Sequence, residues 1–173
     1  SQNPATGMTT YFQPMATGYF KVYGEKFEKF WCCTGSGMEN FTKLGSNYYY
    51  VDEDTVYAAL FVSSELELPE RGVTIVQEAE VLAGGDTKFT VKGNATGLKL
   101  AVRIPSWETA VPCVRKNGTY VETETRDGYM VVESLADGDV IEVDFHMTVT
   151  AVPLPDADNV FAFRYGPIVL SAL

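Results

Sequence analysis

From residue 98 to residue 104 the chain alternates apolar and polar side chains, with Leu98 and Ile104 at the ends of the apolar series. A period of two predicts a β-strand with one buried face. The dipeptide Asn117-Gly118 lies between two further short segments, residues 113–116 and 119–123. Because Asn-Gly adopts the tight turn that joins neighbouring antiparallel strands, this stretch predicts a β-hairpin.

Most of the chain after residue 51 carries similar strand and turn signals. Asp137-Gly138 separates the segments 129–133 and 139–145 and predicts a second turn of this kind. Further strands are expected at residues 55–63, 73–80, 87–92, 147–152 and 160–170. Many short strands with turns and no helices between them are typical of antiparallel sheets. The sequence therefore predicts a mainly β protein, built as an antiparallel β-sandwich of jelly-roll type with one short helix.

That helix is expected in the first 50 residues, where the pattern differs. Met38, Phe41 and Leu44 recur at helical spacing, and Glu39 suits a first turn, so we predict a helix from about residue 37 to residue 47. The rest of this region is rich in aromatic residues and glycine and has weak periodicity, which is typical of loops. We therefore divide the chain into residues 1–50 and a β-sandwich at residues 51–173.

Composition narrows the possible partners. The chain of 173 residues has 13 Lys and Arg against 23 Asp and Glu, a formal net charge of -10, which repels nucleic acid and anionic membrane surfaces. No apolar stretch reaches the ~18 residues that a membrane-spanning helix needs. Three cysteines do not suggest a disulfide framework, so cytoplasmic, periplasmic and secreted locations all stay open. Because the sequence starts at Ser1 rather than Met, we expect it to be part of a longer protein.

The adjacent residues Cys32 and Cys33 are the main candidates for chemistry. They precede the predicted helix start, where unpaired N–H groups and the helix dipole favour a thiolate. A thiolate can be a nucleophile or a metal ligand. A pair of small buried core residues and a strained disulfide are two other interpretations. Zinc would need further ligands, because two thiolates do not complete its shell.

Other residues give weaker signals. Cys113 lies in a predicted strand and is expected to be a small core residue. His146 is the only histidine, which excludes a two-histidine metal motif within this chain, and it is expected at the surface or at a strand end. Glu39 could act as an acid or base near the cysteines, or simply favour the helix start. Asn40 stands where a dinucleotide-binding loop would need glycine, so no nucleotide cofactor is expected.

A family resemblance rests on four stretches. Residues 30–40 read FWCCTGSGMEN and resemble the cysteine segment of glycoside hydrolase family 127, the β-L-arabinofuranosidase family, and of its relative family 146. RIPSW at residues 103–107, GD at 138–139 and RYGPIV at 164–169 resemble later signature segments of that family. Some members read CCPPN at the cysteine pair, where this chain has CCTGSG, so it is more similar to the other branch.

The resemblance implies an architecture and a set of roles. In this family an (α/α)6 barrel carries the active site and β-sandwich domains follow it, so residues 1–50 would be the last part of the barrel. Cys32 would be the catalytic nucleophile and a zinc ligand, and Cys33 a second zinc ligand. The third cysteine and the glutamate that complete the zinc site, together with the general-acid glutamate, would belong to an earlier barrel segment.

The implied function is that of a retaining, exo-acting bacterial glycoside hydrolase that acts on β-L-arabinofuranosides of plant-derived glycans. We expect the isolated chain to be inactive and to hold no zinc tightly, with the glycan and the missing barrel as its partners. Self-association or disorder of this segment is expected, because it has apolar side chains that would face the barrel, namely Phe12, Phe20, Phe27, Phe30 and Met38. The alternatives are a non-catalytic carbohydrate-binding β-sandwich, marked by an exposed aromatic platform, and a purely structural accessory module.

Overall fold

The computed structural model describes residues 3, 5–10, 18–20, 22–25, 27–28, 31–81 and 85–170. The chain forms two compact units, Ser1–Ser46 and Asn47–Leu173. The boundary between them lies close to the point where the hydrophobic pattern changes. Among the described residues, no helix combines the length and apolar character needed to cross a bilayer.

The described part of the first unit includes the α-helix α1 (Cys32–Leu44), which continues as a 3-10 helix (Gly45–Asn47). Trp31 precedes it in an extended conformation, with φ -84° and ψ 157°. The helix therefore begins earlier than the predicted start near residue 37. Gly35 and Gly37 hid this start in the sequence, because glycine costs about 1 kcal/mol relative to alanine within a helix.

The apolar residues that were expected to face a barrel are exposed where the structure describes them. Phe20 is 82%, Phe27 88% and Met38 57% exposed. Phe12 and Phe30 lie outside the described residues.

The described part of the second unit consists of short β-strands joined by turns. In chain order they are β1 (Tyr49–Val51), β2 (Thr55–Ala58), β3 (Ser64–Leu68), β4 (Val73–Ala79), β5 (Thr87–Gly93), β6 (Lys99–Arg103), β7 (Cys113–Lys116), β8 (Thr119–Tyr120), β9 (Glu124–Arg126), β10 (Tyr129–Val132), β11 (Val140–Asp144), β12 (Val149–Leu154), β13 (Ala157–Tyr165) and β14 (Ile168–Val169).

Two sheets form the sandwich. One has the strand order β1-β2-β6-β10-β9 and the other β3-β4-β5-β11-β7-β8. Alternate side chains of both sheets meet in one core, which includes Leu100 and Met130 from the first sheet and Ile75, Phe89 and Ile141 from the second, all fully buried. The predicted mainly β fold with antiparallel sheets and one short helix is confirmed.

The pairing differs from the prediction in one respect. β2 and β6 run parallel, with Val56 opposite Leu100, whereas the other described strand pairs are antiparallel. A parallel pair needs a long connection between its strands. Here β3, β4 and β5 supply that connection, and all three belong to the opposite sheet.

The two predicted turns have different roles. Asn117 and Gly118 have φ of 53° and 76° and join β7 to β8, which confirms the hairpin. Asp137-Gly138 does not form a hairpin, because β10 and β11 belong to different sheets. Leu135 is buried in the core just before this turn, and Gly138, with φ 81°, redirects the chain to the other sheet.

A third, antiparallel sheet follows the sandwich, with the order β12-β13-β14. The predicted strand at residues 160–170 is divided by the turn at Gly166 into β13 and β14. Along one face of this sheet, Val149 is 62%, Phe161 46% and Phe163 51% exposed. This face is therefore apolar and open in the described part of the chain.

Candidate functional site

Cys32 and Cys33 are the first two residues of α1, where backbone N–H groups have no partner within the helix. Both side chains are exposed, and neither forms a disulfide. The interpretation of the pair as small buried core residues is therefore wrong. The thiols stand where a reagent or a metal ion can reach them.

The two thiols influence each other. A side-chain hydrogen bond with Cys32 raises the pKa of Cys33, and partial desolvation and the charge of Cys32 act in the same direction. The helix start was expected to favour a thiolate at both positions, whereas at Cys33 the neighbouring thiol acts in the opposite direction and raises the pKa. A second negative charge beside the first is disfavoured. The pair therefore favours one thiolate and one thiol over two thiolates.

The surroundings of the pair do not complete a metal shell. Among the described residues, no group of three or more His, Cys, Asp or Glu side chains is placed to hold one ion. Thiolates are a donor type that zinc favours, and zinc binds four ligands in structural sites and three in catalytic ones. Cys32 and Cys33 are therefore suitable as two ligands of zinc, but a complete zinc site needs further ligands.

Glu39 is exposed on α1, seven residues after Cys32. Seven residues correspond to about two helical turns, which places Glu39 on the same helix face but about 10 Å along the axis. A retaining glycosidase needs its acid and its nucleophile about 5 Å apart. Glu39 is therefore too distant to be the acid partner of Cys32 without a change in the helix.

Cys113 begins β7 and is exposed, so the expectation of a core position is wrong. The neighbouring Val114 takes the inward position and is 3% exposed. Because side chains alternate across a strand, Cys113 must face outward. It lies opposite Asp144 of β11.

His146 follows β11 and is exposed, as predicted for a surface or strand-end residue. Its backbone N–H donates to the Glu108 carboxylate at 3.0 Å and 3.3 Å, and its Nδ1 lies 3.6 Å from Glu108 Oε1. The Glu108 side chain is fully buried. These contacts join the loop after β6 to the end of β11, which is a structural role.

Two of the stretches that carry the family resemblance are in contact with each other near Glu108 and His146. The Trp107 ring packs against Phe145, with 5.5 Å between ring centroids. Gly166 has φ 54°, and a Cβ atom there would lie 2.7 Å from Met147 Sδ and 3.5 Å from Trp107 Cε3. Only glycine fits this close approach without strain. The stretches at residues 103–107 and 164–169 therefore fix the third sheet to the sandwich.

The stretch at residues 138–139 places a buried carboxylate. Asp139 is 6% exposed and accepts hydrogen bonds of 2.8 Å from Asn117 Nδ2, the Ala136 N–H and Lys116 Nζ. Burial alone would raise the pKa of Asp139, but the hydrogen bonds from Lys116, Asn117 and Ala136 outweigh it and hold the pKa below its ordinary value. This network ties the β7–β8 hairpin to the turn before β11.

Comparison with protein families gives two matches. The sequence model described as "Beta-L-arabinofuranosidase, GH127 middle domain" matches residues 55–147. The model described as "Beta-L-arabinofuranosidase, GH127 catalytic domain" matches residues 1–46, which include the cysteine pair. A search of curated proteins gave no match.

Solved structures agree with these matches. A GH127 β-L-arabinofuranosidase from Geobacillus stearothermophilus T6 is 26% identical, with a TM-score of 0.68, over 80% of this chain and 23% of that one. A second GH127 β-arabinofuranosidase is 27% identical, with a TM-score of 0.67, over 80% of this chain and 25% of that one. A structure described as a glycoside hydrolase is 21% identical, with a TM-score of 0.73, over 94% of this chain and 28% of that one. This match shows that the folds are similar. The chain thus spans about a quarter of the length of these relatives.

Proposed function

The chain belongs to glycoside hydrolase family 127, and from this premise we propose that it forms part of a retaining glycosidase acting on β-L-arabinofuranosides, with Cys32 as the nucleophile. One observation carries the proposal. Cys32 is the exposed first residue of α1, within the segment that matches the catalytic-domain model. A thiol at a helix start is accessible and benefits from the positive end of the helix dipole.

The reaction is a double displacement. The Cys32 thiolate attacks the anomeric carbon, so that a C–S bond forms as the glycosidic C–O bond breaks, and a general acid protonates the leaving oxygen. Water then attacks the same carbon and gives its proton to the deprotonated general acid, while the C–S bond breaks and the thiolate is released. Two inversions leave the anomeric configuration unchanged.

Cys33 has a supporting role in this proposal. Together with Cys32 it would provide two thiolate ligands to zinc, and bound zinc holds a coordinated thiol deprotonated. The influence that each thiol has on the other makes such help necessary, since without a cation the pair resists holding two negative charges. The remaining ligands and the general acid come from residues outside this chain.

The isolated chain is therefore expected to have no arabinofuranosidase activity. A nucleophile without its acid and its full metal shell cannot stabilise the transition state sufficiently. Turnover of an aryl β-L-arabinofuranoside by this chain above the buffer rate, lost in Cys32→Ala, would show that the site is complete within it.

The role of Cys32 is testable in a chimera. Residues 1–46 of this chain replace the matching segment of the Geobacillus stearothermophilus enzyme, and hydrolysis of an aryl β-L-arabinofuranoside is measured. We expect activity that falls at least about a thousandfold in Cys32→Ala, because a nucleophile has no substitute. Glu39→Gln is the matched control and should keep most of the activity. An active chimera that is unaffected by Cys32→Ala would overturn the proposal.

A further inference from the structure

A group of three tyrosines, one exposed and two partly buried, lies on the outer face of the five-stranded sheet. Tyr57 of β2 and Tyr129 of β10 contact each other with ring centroids 5.3 Å apart and planes at 83°. Tyr50 of β1 is directly opposite Tyr57 across the β1–β2 pair and is 52% exposed. We call these three residues the tyrosine surface. Its two central rings meet nearly at right angles and form a corner.

The strand between the two central tyrosines explains this arrangement. Ala101 of β6 lies opposite Tyr57 on one side and next to the β10 strand on the other. Leu100 and Val102 point into the sandwich core, so Ala101 must point outward, yet it is fully buried. Because the Ala101 side chain is small, it leaves room for the rings of Tyr57 and Tyr129 to meet across β6. The register of the three strands therefore determines where the two rings lie.

Asp52 holds one ring of the corner in place. The Tyr57 hydroxyl donates to Asp52 Oδ2 at 2.9 Å, while the N–H groups of Asp54 and Thr55 donate to Asp52 Oδ1 at 3.2 Å and 2.9 Å. The hydrogen bond from Tyr57 lowers the pKa of Asp52, whose carboxylate therefore stays ionised at neutral pH. A carboxylate has about four acceptor positions, so Asp52 can accept a further hydrogen bond beside the rings.

Asp52 also borders a shallow cavity of about 460 Å³ at the edge of the sandwich. The other residues that line this cavity are Val51, Leu68, Pro69, Glu70 and Arg71. The corner and the cavity thus share Asp52, which has an aromatic hydroxyl on one side and borders the cavity with Arg71 on the other. An extended ligand could contact both.

The charges around the tyrosines favour a neutral ligand. Lys99 is paired with Asp54 at 2.9 Å, and Arg126 with Glu124 at 3.1 Å. These two cations are each compensated by a neighbouring carboxylate, so they do not attract an anionic partner to the tyrosines. Aromatic faces, an oriented hydroxyl and a carboxylate are the groups that suit sugar rings, which have apolar C–H faces and hydroxyl rims.

We propose that the tyrosine surface is a glycan-binding site, separate from the cysteine pair, that holds an arabinan chain against the Tyr57–Tyr129 corner with Asp52 accepting a sugar hydroxyl. The choice of arabinan rests on the proposed function only through its sugar, because arabinan is a polymer of arabinofuranose with α linkages, whereas the site itself rests on the geometry of the sheet. Such a site keeps the polysaccharide close to the protein and leaves its cleavage to other residues.

Native gel electrophoresis of the full chain in gels containing soluble arabinan tests this site. We expect arabinan to retard the wild-type chain. The affinity obtained from this retardation should fall about fivefold or more in Tyr57→Ala and in Tyr129→Ala, because one aromatic contact contributes about 1 kcal/mol. Tyr120→Ala is the matched control, since Tyr120 is 68% exposed in the other sheet and should not affect binding. Tyr57→Phe keeps the ring without its hydroxyl and should retain most of the binding, which separates loss of the ring from loss of the fold.

Other results would overturn the site. If arabinan did not retard the wild-type chain, or if Tyr120→Ala weakened the binding equally, the tyrosine surface would not be the binding region. Equal retardation by dextran would contradict the choice of arabinan. The chimera contains only residues 1–46 of this chain and so lacks the tyrosine surface, which makes failure of the cysteine proposal and failure of this site distinguishable.

Discussion

Replacing Asp139 by asparagine should destabilise the second unit strongly and remove one source of its pH dependence. The Asp139 side chain is 8% exposed and accepts three hydrogen bonds of 2.8 Å, one of them from the Lys116 ammonium. Hydrogen bonds to a charged group contribute about 1.5–3 kcal/mol, and loss of one partner of a buried ion pair costs about 3–5 kcal/mol. The asparagine retains one acceptor oxygen, so we expect a loss of about 2–3 kcal/mol in the free energy of unfolding.

The sign of the pH effect follows from the lowered pKa of Asp139. A carboxyl group whose pKa is lower in the folded than in the unfolded state stabilises the fold above its ordinary pKa of 3.8, and this stabilisation is lost as the pH falls through the folded-state value. The difference in unfolding free energy between wild type and Asp139→Asn should therefore be constant at neutral pH and shrink below about pH 4.

Urea unfolding monitored by circular dichroism, from neutral to acid pH, measures this difference. Glu65→Gln on β3 is the control, because Glu65 is exposed and the change should alter stability by less than about 0.5 kcal/mol. A double-mutant cycle with Lys116→Met should give a coupling energy of about 1 kcal/mol or more with Asp139. A difference between wild type and Asp139→Asn that stayed the same down to about pH 3 would refute the argument, because ionised Asp139 would then contribute nothing.

Three further results are expected. Gly93→Ala should lower the free energy of unfolding, measured with urea, by about 2–4 kcal/mol. The reason is that Gly93 has φ 90° and a Cβ there would lie 2.1 Å from the Gly72 carbonyl oxygen. Cys32→Ala should shift the alkylation of Cys33 by iodoacetamide to lower pH, because the hydrogen bond that is the main cause of its raised pKa is removed. Phe41→Lys should reduce any concentration-dependent association in sedimentation velocity, because Phe41 is 79% exposed on α1.

Each of these has a matched control. Gly97→Ala places a Cβ in open space at φ 77° and should cost less than Gly93→Ala. Cys113 is an exposed thiol in the other unit, and its alkylation profile should not respond to Cys32→Ala. Thr42→Lys adds the same charge next to Phe41 and should reduce association less. Equal costs at Gly93 and Gly97, or a shifted Cys113 profile, would contradict the corresponding reasoning.

The sequence predicted the local elements of the sandwich better than their arrangement. The alternation from Leu98 to Ile104 and the Asn117-Gly118 turn each determine structure within a few residues, and β6 and the β7–β8 hairpin appeared where they were expected. The parallel pairing of β2 with β6 depends on segments that are far apart in the chain, which no local pattern specifies.

The same distinction applies to the candidate sites. The cysteine pair is contiguous, so its position at a helix start could be predicted, although the glycines at positions 35 and 37 hid where the helix begins. Cys113 was misplaced because Cys113 and Val114 are both apolar, and their strand alone does not say which one faces the core. The Tyr57–Tyr129 corner brings together residues from distant strands, so it could be found only in the structure.

The zinc content and thiol reactivity of the purified chain test most directly whether Cys32 and Cys33 form half of a site that other residues complete. Metal analysis is combined with mass-spectrometric mapping of alkylated thiols before and after unfolding. Because a high-affinity site needs its full set of ligands, we expect less than one zinc per chain and alkylation of both thiols in the folded state. One zinc per chain, released only on unfolding and protecting both Cys32 and Cys33, would contradict the account and show that the remaining ligands lie within these residues.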